Sequence, residues 1–113
     1  MNIIIRKNRR RIKVDVNKTG FIRMGLGLMF RSHNTRNLLF DFQSEVYYRG
    51  AITSWFVFFP FLAVWLDKNN KAMESRIVQP FKTSILPKKP FYRLVELPIN
   101  AKNRHFIDFL VGK

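Results

Sequence analysis

The hydrophobic pattern changes period several times along the chain, and each change marks an element. RIKVDV, residues 11–16, alternates Ile12, Val14 and Val16 with Lys13 and Asp15, the period of a strand with one buried and one solvated face. The preceding Asn2 to Ile5 either extends that strand or pairs with it. Ile22, Leu26 and Met29 then fall at i, i+4 and i+7, which is helical spacing. Gly20, Gly25 and Gly27 oppose a helix there, since each internal glycine costs about 1 kcal/mol relative to alanine. A short, packed, glycine-containing helix is the expectation.

SWFVFFPFLAVWLD, residues 54–67, sets the centre of the fold. Seventeen residues from Gly50 to Leu66 carry no charge, a length at the bottom of the roughly 17 to 25 that a membrane-spanning helix needs. Pro60 would break the hydrogen bonding of such a helix near its middle. The Trp, Phe, Val and Ile content favours strands, and Asp67-Lys68-Asn69-Asn70 reads as a tight turn into a return strand. Two strands, 53–59 and 61–66, joined at a proline bend are therefore expected, apolar on both faces and so buried on both. No transmembrane span is expected.

Around this centre, NLLFDF (37–42), KAMESRIV (71–78) and YRLVELP (92–98) read as further strands, with Pro80, Pro87 and Pro90 in the connection between the last two. NAKNRHFIDFLV (100–111) puts Phe106, Ile107, Leu110 and Val111 on one stripe behind Asn100 or Asn103 as cap, a closing amphipathic helix. The fold class expected is mainly β with some α: a small barrel-like or strongly curved sheet, a short glycine-containing helix and a C-terminal amphipathic helix. A basic N-terminal arm, residues 1–9, precedes a single domain over 10–113.

Composition narrows the function classes. With 113 residues, one hydrophobic core fits. Cysteine is absent, which removes disulfides, thiolate chemistry and cysteine-held zinc. The three apolar residues before the first charges are too few for a secretory signal, so a cytoplasmic location is expected. Twenty-one Lys and Arg against seven Asp and Glu give a net charge of +14. Six of these cations, Arg6, Lys7, Arg9, Arg10, Arg11 and Lys13, lie in RKNRRRIK. Such a field attracts nucleic acid, acidic lipid or an acidic protein.

The run RMGLGLMFR, residues 23–31, resembles the R-x-x-x-G-L-M-F-R signature of domain-of-unknown-function family 192, also called uncharacterised protein family 0127. LLFDF, FFPFLAVWLDKNNKAMESR and FYRLVELP follow in the order of that family's first strand, long strand with hairpin, and segment ending in E-L-P. The resemblance implies a small, mostly β domain without an established activity. Two departures stand out. ITSWFVFF replaces the W-M-K-N-T stretch of many bacterial members, so a ligand role resting on those polar groups does not transfer. Ile99 and Asn100 stand where the family has a small residue and Gly, and Asn tolerates the same left-handed turn.

No catalytic constellation is visible, and neither cofactor nor metal is implied. His33 and His105 stand far apart in sequence, and Glu96, inside an apolar strand, reads as exposed or paired with a strand-borne Arg. A binding module is the first functional expectation. Arg23 and Arg31 flank the glycine-rich turn, where the Gly27 backbone and a Trp55 wall could receive a small anionic ligand or a peptide end. The structural counterpart has Arg31 tied to Asp41 or Glu45. Nucleic-acid association through the six N-terminal cations is the alternative, and attachment to an acidic membrane surface the second. Tyr47, Tyr48 and Tyr92 are the aromatics available for stacking on single strands.

Overall fold

The structure, a computed structural model, describes residues 1–19, 36–47, 59–82 and 85–112. Strands β1 (Asn2–Lys7) and β2 (Arg10–Asp15) pair antiparallel as a hairpin, with Arg6 opposite Arg11 and Lys7 opposite Arg10. Asn8 and Arg9 close it at φ 50° and 66°. Two successive positive φ values suit the right-handed twist of a two-residue hairpin. Residues 1–9, expected as a basic arm, are thus half of a hairpin.

The remaining strands are β3 (Asn17–Thr19), β4 (Leu38–Val46), β5 (Phe61–Leu66), β6 (Ala72–Val78) and β7 (Phe91–Pro98). They form one sheet in the order β3-β4-β7-β5-β6, parallel at β3-β4 and antiparallel elsewhere. Among the described residues β3 and β6 sit at opposite edges and do not meet, so the sheet is open. The expected barrel-like closure is not what these strands make. The hairpin is a separate two-stranded layer over one face. No helix among the described residues is long and apolar enough to cross a membrane.

Every residue of β5 is buried, as its unbroken apolar run requires. Phe61, Ala63 and Trp65 join Leu38, Phe40, Phe91 and Leu94 on one face. Leu62, Val64 and Leu66 join Leu39, Val95 and Leu97 on the other, under Ile3, Ile5, Val14 and Val16 of the hairpin and Leu110 of the helix. Burial of each Val, Leu, Ile or Phe side chain among them contributes about 1.5–3 kcal/mol. The segment 53–58, expected as a strand, and the glycine-containing helix lie outside the described residues.

Turn chemistry fixes the β5–β6 connection. Asp67 Oδ1 accepts from the N–H groups of Asn69 (2.8 Å) and Lys71 (2.9 Å), the turn-initiating role its sequence position suggests. The helix α1 (Arg104–Val111) follows a 3-10 turn at Ala101–Asn103. Asn100 caps that turn by accepting from the Asn103 N–H at 2.9 Å. Asn103, at the N-cap position of α1, makes no side-chain cap bond. Its buried amide instead donates to Pro98 O and Asn37 Oδ1, both at 2.8 Å, joining the helix start to β7 and to the approach of β4.

One expectation about charges changes. Glu96 is buried at 2% exposure, opposite Leu38 of β4 and Ala63 of β5. It is not exposed, because it points to the face of the sheet that buries Leu38, Phe40, Ala63 and Trp65, and among the described residues it has no ion-pair partner. Asp41 pairs with Arg93 of β7 at 3.1 Å, while Arg31, its expected partner, lies outside the described residues.

Candidate nucleic-acid interface

The hairpin sorts its six cations by strand alternation. Ile3, Ile5, Val14 and Val16 point to the sheet, so Ile4, Arg6, Arg11 and Lys13 point away from it. Arg6 and Arg11 are exposed directly opposite each other, an arrangement in which like charges repel. Arg9 and Arg10, at and just after the turn, are exposed as well, and so is Lys13.

Lys7 differs. It is half-buried, and its ammonium donates to the carbonyls of Leu110 (2.5 Å) and Phe109 (3.4 Å) at the end of α1. The last turn of this helix carries no basic residue of its own. Lys7 therefore supplies the positive charge that a helix C-terminus favours, and Ser75 Oγ donates to the same Leu110 carbonyl at 3.0 Å. Gly112 ends the helix at φ 86°, in the left-handed conformation that glycine adopts without penalty.

These constraints build a cleft of about 510 Å³ at the hairpin tip, lined by residues 6–11 and Lys71. Lys71 is brought there by the β5–β6 turn: Arg6 N–H donates to Asn70 O at 2.9 Å, and Arg6 and Lys71 form an isolated parallel bridge. Among the described residues no acid lines this cleft. The described ion pairs, Met1 N-terminus with Asp15, Arg76 with Glu74 and Arg93 with Asp41, involve none of its cations. A second cleft of about 350 Å³ shares Lys7, Asn8 and Arg10 and is walled by Phe109 and Gly112. The arrangement offers several Arg forks and one ammonium to the phosphates of a polyanion.

Elsewhere, desolvation by burial pushes the Glu96 carboxyl up to about 8, so it is protonated at neutral pH. Trp65 lies on the same face of the sheet, its indole N–H buried without an acceptor among the described residues, and Arg76 stacks over its ring at 5.3 Å. Among the described residues no group of three His, Asp or Glu side chains is placed to hold a metal. Arg23, Gly27, Arg31 and Trp55, the residues expected around an anionic-ligand site, lie outside the described residues, as do His33 and Tyr48. Lys71 and Phe109 were not singled out by sequence. The D-K-N-N-K turn carried a signal for Lys71, but its nearness to Arg6 depends on how the hairpin docks.

No family model matches the chain, and no curated protein does. Solved structures do resemble it. One is a candidate transcription regulator from Sinorhizobium meliloti 1021, with a TM-score of 0.72 and 16% identity over 91% of this chain and 81% of that one. Another is a protein of unknown function from Novosphingobium aromaticivorans DSM 12444, with a TM-score of 0.69 and 11% identity over 92% of this chain and 76% of that one. At these identities the likeness is one of fold.

Proposed function

We propose that this chain is a nucleic-acid-binding module whose contact surface is the tip and outer face of the β1–β2 hairpin. The observation that carries the reading is the cleft itself: Arg6, Arg9, Arg10 and Arg11 of the docked ribbon gathered with Lys71 of the β5–β6 turn, with no acid in the lining among the described residues. A net charge of +14 adds long-range attraction for a phosphate backbone. The candidate transcription regulator of similar fold is in keeping with such a partner. The resemblance to domain-of-unknown-function family 192 is part of the proposal for the fold alone, supported by the segments of its motifs being the strands β4, β5, β6 and β7.

Gel shifts with random-sequence RNA and DNA at two salt concentrations test it. Affinity falls steeply with salt in the wild type, and each phosphate contact removed by Arg6→Ala, Arg9→Ala or Arg11→Ala lowers the salt slope by about 1. Absence of any shift at low salt overturns the proposal. Flotation with anionic vesicles alongside that absence moves the surface to lipid.

A further inference from the structure

Resting on that reading, we infer that the interface holds single-stranded nucleic acid, with a base against Phe109 and the neighbouring phosphates in the arginine cleft. The two clefts differ in lining. The larger holds cations and Asn8, whereas the smaller adds one aromatic wall, and Lys7, Asn8 and Arg10 belong to both. Phe109 is half-buried: it packs against the core cluster beneath the hairpin while part of it lines the cleft. An aromatic anchored in this way loses little freedom when a base covers its open side.

Gly112 keeps the entrance low. A Cβ built there would stand 3.7 Å from the Lys7 ammonium, in ordinary contact with it, and the φ of 86° disfavours any side chain at this position. Lys7, held by the Leu110 and Phe109 carbonyls, ties the helix end that carries Phe109 to the hairpin that carries the arginines. A duplex stacks its base faces on one another and offers edges and phosphates, which the Phe109 wall cannot use. A single strand offers both a ring face and a flexible backbone, the combination that stacking platforms in basic grooves accept.

The test uses the full chain and three fluorescent probes of similar charge: a single-stranded oligonucleotide, its duplex, and heparin, which has anionic groups but no bases. The single strand binds more tightly than the duplex. Phe109→Leu, which keeps an apolar group on the core, weakens single-strand binding about tenfold and leaves duplex and heparin binding unchanged. No loss toward the single strand, or an equal loss toward heparin in a folded variant, overturns the inference while the hairpin reading stands. Failure of the wild type to bind any probe removes the hairpin reading itself. Should Phe109→Leu not fold, Phe109→Trp decides. Emission quenched beyond that of the wild type by the single strand alone supports stacking, and emission equally quenched by heparin, or unquenched, overturns it.

Discussion

At the residue scale, Glu96 couples stability to pH. Its carboxyl is raised from 4.5 to about 8 in the folded chain by burial, so the native state holds a proton that the unfolded chain releases. The native state is favoured below pH 4.5, and that advantage is lost as pH rises from 4.5 through 8. Urea unfolding midpoints measured from pH 5 to 8 fall with pH in the wild type and flatten in this window in Glu96→Gln. A midpoint in the wild type that holds constant or rises across the window contradicts this. Asn103 gives the second residue-scale expectation: Asn103→Ala leaves Pro98 O and Asn37 without a buried donor and costs about 1–3 kcal/mol in equilibrium unfolding. The two residues differ in legibility. Asp67 could be read from its neighbours because a turn is local. Glu96 could not, since whether its side chain meets water depends on what packs over that face of the sheet, where Leu38, Phe40, Ala63 and Trp65 come from strands distant in the chain.

At the element scale, the hairpin turn is strained at Arg9, whose φ of 66° suits glycine far better than a long side chain. Arg9→Gly creates Asn-Gly, the favoured pair for this turn, and raises thermal stability while weakening nucleic-acid binding. A fall in both would place Arg9 in a packing role instead. Lys7→Met separates the cations the other way. It removes the ammonium from the α1 carbonyls, costs about 1 kcal/mol of stability, and changes the salt slope of binding less than Arg11→Ala does. Strand positions for β2, β5, β6, β7 and the amphipathic α1 were legible because period and turn residues are short-range. The pairing of β1 with β2 was half legible. Asn8 sits at the right offset between alternating apolar runs, but a charge-dense RKNRRR masks the signal by composition.

At the scale of the whole molecule, the core is built on two faces of one sheet, and charge is displayed where the hairpin and the β5–β6 turn converge. Basic composition pointed to a polyanion partner before any fold was known. The cleft's location required the contact between Arg6 and Asn70, residues far apart in the chain. The candidate site around Arg23, Gly27, Arg31 and Trp55 was read from two arginines flanking a glycine-rich turn, and it lies outside the described residues. The site at the hairpin rests on geometry that only tertiary packing creates.

The place of β7 in the sheet has a consequence for biosynthesis. Strands β4 and β5, which flank it, leave the ribosome well before residues 91–98 do. Until β7 arrives, Phe40 and Trp65 lack the neighbour that shields them, and nascent chains in that condition are prone to aggregate or to recruit chaperones. A version stopped at Pro90 is expected to emerge insoluble when translated in a purified system, and adding a peptide of residues 91–112 in trans should recover part of it.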